Sequence, residues 1–157
     1  MEEQIFDYGI IGSGPAGHTA AFIAAKQGFS VILFEKDELG GVCLNRGCIP
    51  TKTILHSVEL YNEVKNAENI GIESSDIKLN LSKIMERKDK VVETLRKGIE
   101  QGIKANKITY VNAEAKVLDE KTIEADGKKY NCTKIIAATI SHVICFFFII
   151  LLLITEY

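Results

Sequence analysis

Hydrophobic and polar positions change rhythm twice within the first 36 residues. Residues 4–11 close on Tyr8, Ile10 and Ile11 before Gly12, which predicts a buried strand. Residues 15–27 are alanine-rich with helical spacing, and Gly28 is a natural C-terminal stop. "SVILFEK", residues 30–36, is an apolar run with β-branched residues, typical of a parallel sheet. Strand, helix and strand within about 30 residues make a βαβ unit. A glycine- and cysteine-bearing loop follows, then a helix predicted from near 49 to 64. A longer helix is predicted over 79–101, with Leu81, Ile84, Val91, Val92, Leu95 and Ile99 on one stripe. From residue 107 the period falls to two, giving strands at 108–111, 115–118 and 121–124. Asp126-Gly127 is a hairpin turn, and 134–138 forms a last short strand.

These elements predict a three-layer α/β domain. Its parallel sheet is expected from strands near 4–11, 30–35, 107–111 and 134–138, with a small antiparallel meander over 115–131. Helices 15–27 and 49–65 are expected to flank the sheet and 79–101 to pack outside. There is no internal repeat and no low-complexity linker. The end of the chain differs, because residues 143–154 form a run of 12 apolar residues. A membrane span needs about 20. Counting back to Ile135 reaches about that length, but Thr139, Ser141 and His142 dilute it.

At 157 residues the chain has the size of one domain. The net charge of −2, from 19 basic and 21 acidic residues, gives no electrostatic case for nucleic acid. Met1-Glu2-Glu3-Gln4 is acidic and runs into a short apolar stretch, so no secretory signal is predicted. Four cysteines in a chain expected in the cytoplasm argue against a disulfide scaffold and for catalytic or metal-binding pairs.

"DYGIIGSGPAGHTAA" carries Gly12, Gly14 and Gly17 as G-x-G-x-x-G between the first strand and the first helix. The first glycine allows the tight turn, the second lets backbone approach a pyrophosphate, and the third lets the helix pack closely on the strand. Alone the pattern is weak, since glycines are common in turns. Here a second strand follows and ends at Glu35, whose carboxylate can accept hydrogen bonds from both hydroxyls of a ribose. In that full context, dinucleotide binding is preferred over an ordinary βα turn.

"GGVCLNRGCIPTKT", residues 40–53, sets Cys43 and Cys48 five positions apart. Zinc wants four ligands, and neither Cys132, Cys145 nor His56 completes a second short-spaced pair. Two inert core cysteines are a general alternative, but Gly40, Gly41, Asn45, Arg46 and Gly47 are not core residues. A redox role fits better. Pro50 suits a first helical turn, which places Cys48 at a helix N-terminus where partial positive charge favours a thiolate. Lys52 on that turn adds a second cation. Such a thiolate beside another thiol, on a dinucleotide-binding domain, suits electron exchange with a flavin. Cys43, in the preceding loop, is expected to be the more exposed of the two.

Together "IIGSGPAGHTAA", "FEK" and "GGVCLNRGCIPTKTIL" resemble the N-terminal part of the dihydrolipoamide dehydrogenases, in the pyridine nucleotide–disulfide oxidoreductase family. The Leu44-Asn45 and Ile49-Pro50-Thr51-Lys52 wording is closer to the lipoamide branch than to glutathione or mercuric ion reductases. The resemblance implies a Rossmann-like first FAD-binding segment over residues 1–140. It implies FAD pyrophosphate at Gly12, Ser13, Gly14, Pro15, Ala16 and Gly17, and the adenosine ribose at Glu35. Lys36, Gly41, Val42 and Cys43 would line the cofactor, Lys52 would lie near the flavin, and Ala115 would contact the adenine side. Ala138 and Thr139 complete the implied cofactor-binding set. Cys43 and Cys48 are implied to be a redox-active disulfide, with Cys48 facing flavin and Cys43 exchanging with substrate.

The implied activity is oxidation of dihydrolipoyl groups with NAD as acceptor. The implied partner is the dihydrolipoyl domain of a 2-oxo acid dehydrogenase or glycine cleavage complex, and the family is homodimeric. The resemblance stops after Ala138-Thr139, where Ile140 replaces the glycine of the family's Ala-Thr-Gly. There is no second G-x-G-x-x-G for NAD, and His18, His56 and His142 lie outside the motif of the catalytic histidine. The chain is therefore expected to be a truncated form, with negligible turnover alone and no dimer. Residues 141–157 are an apolar tail outside the pattern, for which no evolved role is preferred over a membrane anchor. A non-catalytic FAD-binding fragment, or another disulfide reductase such as glutathione or mercuric ion reductase, is the alternative function.

Overall fold

The computed structural model describes residues 5–73 and 75–139. β1 (Ile5–Ile11), α1 (Pro15–Lys26) and β2 (Val31–Glu35) form the βαβ unit. β1 and β2 are parallel, with Tyr8 opposite Val31 and Ile11 opposite Phe34. Next come α2 (Gly41–Arg46), α3 (Cys48–Asn66), a 3-10 turn at Ala67–Ile70 and α4 (Leu81–Ala105). β3 (Thr109–Asn112), β4 (Ala115–Val117), β5 (Thr122–Ala125) and β6 (Lys128–Ala137) end the described chain. The strand order is β3-β2-β1-β6-β5-β4. β3, β2, β1 and β6 run parallel, and β4, β5 and β6 form an antiparallel meander.

Both faces of the parallel sheet are covered, which is why Val31, Ile32, Leu33 and Phe34 can all be buried in one strand. On one face Ile10, Val31 and Leu33 meet Ala21 and Ala24 of α1 and Ile103 of α4. On the other, Ile32 and Phe34 meet Ile123, Ala125 and Cys132 of the meander. The meander lies close to β1. A Cβ on Gly9 would stand 2.6 Å from Ile123 Cδ1 and 2.5 Å from Cys132 Sγ. Each fully buried large apolar side chain in these layers stabilises the fold by about 1.5–3 kcal/mol.

Four expectations need correction. Residues 41–46 form a short helix instead of loop, held by Asn45, whose Nδ2 donates to the carbonyls of Glu38, Leu39 and Gly41. The last strand spans ten residues and serves both the meander and the parallel sheet, so the two are one continuous sheet. The two long helices exchange places. α4 runs on to Ala105 and puts Ile99 and Ile103 against the sheet core. Only Thr53 of α3 is buried; that helix packs on α4, and Arg87 Nη1 of α4 donates to the Thr53 carbonyl. Finally, Leu81 and Leu95 of the predicted stripe are exposed, whereas Val92 is buried. The apolar run 143–154 and His142 lie outside the described residues. Among the described residues no helix is long and apolar enough to cross a membrane.

Candidate functional site

The C-terminal ends of β1, β2 and β6 meet at one edge of the sheet. Gly12 N donates to the Phe34 carbonyl at 2.8 Å, and Ala138 N donates to the Ile11 carbonyl at 2.8 Å. β1 is flanked by β2 on one side and β6 on the other, so the order of connection through the sheet reverses there. Ligands of open α/β sheets bind outside such strand ends. A cavity of about 630 Å³ opens at this edge.

Its floor is a turn that only glycine permits. Gly12 has φ of +97°, and a Cβ there would stand 2.7 Å from the Ala138 carbonyl oxygen. Gly17 brings α1 onto the turn, since a Cβ would fall 1.8 Å from the Gly12 carbonyl oxygen. Gly14 faces open space, and a Cβ there would meet no atom within 4 Å. α1 begins at Pro15 with no side chain capping it, so its first amides are available to an anion. Gly41 completes the cradle; its Cβ would lie 2.9 Å from Gly14 Cα.

Glu35, at the end of β2, borders the cavity. Its Oε2 accepts from Ser13 N at 2.9 Å and Ser13 Oγ at 2.8 Å, and its Oε1 accepts from Asp37 N at 3.0 Å. Three of the roughly four acceptor sites of a carboxylate are thus used, leaving about one on Oε1. Lys36 at the rim pairs with Glu114 at 3.2 Å.

Cys43 and Cys48 both line the cavity. Cys43 is in α2 and Cys48 is the first residue of α3, as its spacing to Pro50 predicts. Both are free thiols. Cys43 is hydrogen-bonded to Cys48, which holds its thiol above the usual range; burial adds to this and the Lys52 charge opposes it. The expected order of exposure is reversed: Cys48 is exposed and Cys43 half-buried. The reason is the chain reversal at Gly47, whose Cβ would stand 3.2 Å from Cys43 Cα. That backbone covers Cys43, while Cys48 starts a new helix at the cavity wall.

Of the predicted residues, Gly12, Gly14, Pro15, Ala16, Glu35, Lys36, Gly41, Val42, Cys43, Cys48, Ala115, Ala138 and Thr139 all line this one cavity. Ser13, Gly17 and Lys52 do not. Ser13 is fully buried beneath it, Gly17 is packed on Gly12, and Lys52 is exposed on α3. The cavity adds Ile11, Phe34, Asp37, Arg46, Gly47, Ala113 and Glu114. Arg46, ion-paired with Asp37, had only its place between the thiols to mark it. His18 is a packing residue, with Nδ1 3.0 Å from the Ser13 carbonyl and its ring tilted on Phe22. Among the described residues, no three His, Cys, Asp or Glu side chains converge as a metal set.

Comparison with known proteins agrees with this geometry. The chain is 42% identical over 135 residues to a dihydrolipoyl dehydrogenase of Mycoplasma pneumoniae, covering 85% of this chain and 30% of the relative. It is 43% identical over 121 residues to the Bacillus subtilis enzyme of that name, covering 76% of this chain and 26% of the relative. With the mitochondrial dihydrolipoyl dehydrogenase of Pisum sativum it shares 44% over 122 residues, 76% of this chain and 24% of the relative. The chain therefore spans less than a third of the curated relatives it matches. A family model for pyridine nucleotide-disulphide oxidoreductase matches residues 6–148, and the chain belongs to that family.

Proposed function

We propose that this chain binds FAD in the cavity and carries the dithiol half of a dihydrolipoyl dehydrogenase reaction. One observation carries the reading: a glycine cradle, a strand-end carboxylate and two thiols share a single cavity. The residues present fit the cofactor. The cradle from Gly12 to Gly17 is lined by backbone, as a pyrophosphate requires, and the uncapped start of α1 supplies amides and a favourable dipole. Glu35 accepts a ribose hydroxyl through Oε1. Lys36, Gly41, Val42, Ala115, Ala138 and Thr139 form the walls.

Bound FAD supplies a two-electron acceptor. The chain's own part is thiol exchange. A dihydrolipoyl thiolate attacks a Cys43–Cys48 disulfide, and its second thiol closes the substrate disulfide. Two electrons and one proton then reside on the Cys43–Cys48 pair as a thiol and a thiolate, the other proton having left when the attacking thiolate formed. By the family resemblance Cys48, which lines the cavity wall, is the thiol beside the flavin. Cys43 is the thiol that meets substrate, and its hydrogen bond to Cys48 keeps its proton in place after exchange. NAD as final acceptor, the lipoyl-bearing complex as partner and dimerisation are proposed for a whole protein of this kind. Binding of FAD without thiol turnover is the second reading, favoured by the half-burial of Cys43, the thiol assigned to substrate.

The test is a single turnover without oxygen. Chain loaded with FAD and mixed with dihydrolipoamide should lose flavin absorbance, whereas Cys43→Ser and Cys48→Ser should retain it. Bleaching that survives Cys43→Ser contradicts the thiol assignment, and loaded wild type that never bleaches favours the second reading.

A further inference from the structure

Ser13 is one of the few polar side chains with no exposed surface in the described residues. It sits within the glycine turn yet does not reach the cavity. Its hydroxyl points the other way. Ser13 Oγ donates to Glu35 Oε2 at 2.8 Å and accepts from Gly40 N at 3.0 Å, while Ser13 N donates to the same Oε2 at 2.9 Å. Gly40 caps the start of α2, which carries Cys43. One buried hydroxyl therefore ties the turn after β1, the carboxylate at the end of β2 and the start of the helix that carries Cys43.

We infer that Ser13 is a positioning residue: its hydroxyl orients Glu35 toward an adenosine ribose and fixes the amide of Gly40, the N-cap of the helix that carries Cys43. The inference rests on the flavin reading for its ligand. A carboxylate on a free rotor samples several orientations and would lose that entropy on binding; one held by Ser13 Oγ, Ser13 N and Asp37 N presents Oε1 already aimed. Glycine or alanine at this position would complete the turn equally well but leave Oε2 short of one donor and Gly40 N without its acceptor.

The experiment is a double-mutant cycle on the full chain with two readouts. FAD affinity is measured by quenching of flavin fluorescence for wild type, Ser13→Ala, Glu35→Ala and the double variant. Amide exchange at Gly40 and Asp37 is measured on the flavin-free proteins. Ser13→Ala should weaken FAD about three- to tenfold, the scale of one ordinary net hydrogen bond. In the Glu35→Ala background the same change should cost less than about twofold, because the group it acts through is gone. Exchange at Gly40 and Asp37 should quicken in Ser13→Ala. If Ser13→Ala does not fold, Ser13→Cys, of similar shape and a weak donor, enters the same cycle.

An equal loss of FAD affinity in both backgrounds, a purely structural effect, overturns the inference. So does unchanged exchange at Gly40 and Asp37. Wild type that binds no FAD overturns the flavin reading and the ligand half of the inference with it, while exchange still decides whether Ser13 holds Glu35 and Gly40.

Discussion

Cys43 and Cys48 occupy unlike surroundings although five positions separate them. Cys43 donates its proton toward Cys48 and is partly covered by the backbone at Gly47, and both effects favour the neutral thiol. A raised acid holds its proton to higher pH. In the reduced protein, labelling of Cys43 by iodoacetamide should therefore reach half its maximal rate above the ordinary thiol pKa of about 8.5. Cys48→Ala removes the largest cause and should lower that midpoint; Lys52→Met removes the opposing charge and should raise it. Labelling with peptide mapping across pH checks both, and a wild-type midpoint at or below about 8.5 is the contrary result. The place of Cys48 was legible in the sequence, because Pro50 marks a helix start. Relative exposure was not, since it depends on how Gly47 turns the chain. Ser13 was placed among ligand-facing residues for the same reason: a motif marks a turn but not which way its side chain points.

The contact of α1 with β1 shows how the glycines divide their work. Gly17 exists to let a helix approach a strand, and Gly14 to leave a cavity open. Gly17→Ala would press a methyl onto the Gly12 carbonyl, which backbone cannot yield, and should destabilise the chain by about 2 kcal/mol or more. Gly14→Ala meets nothing and should stay within about 1 kcal/mol of wild type, yet narrow the cradle and weaken FAD. Urea midpoints and flavin titrations separate the two; equal destabilisation by both would contradict the division. Long regular elements were visible in the pattern, as was the hairpin, where Asp126 and Gly127 both adopt positive φ. α2 was not, because six residues between Gly40 and Gly47 give too few turns to show a period. Nor did the stripe on α4 say which layer it would meet. Period marks an apolar face, but its partner is fixed by tertiary packing, and Ile103 lay beyond the predicted end.

For the whole molecule, the decisive fact is convergence. The turn after β1, the end of β2, both short-spaced thiols, the start of β4 and the end of β6 contribute to one cavity, although more than a hundred residues separate Ile11 from Ala138. The mostly parallel sheet brings them together by aligning strand ends. Such a cavity should prefer the dinucleotide flavin over its mononucleotide, since the glycine cradle and Glu35 are suited to the pyrophosphate and adenosine ribose that FMN lacks. The most direct measurement is a calorimetric titration of the purified chain with FAD and with FMN. FAD binding at one site per chain, at least about tenfold tighter than FMN, is the result expected. Equal affinity for the two flavins, or no binding of FAD, would contradict the assignment of this cavity to a flavin dinucleotide.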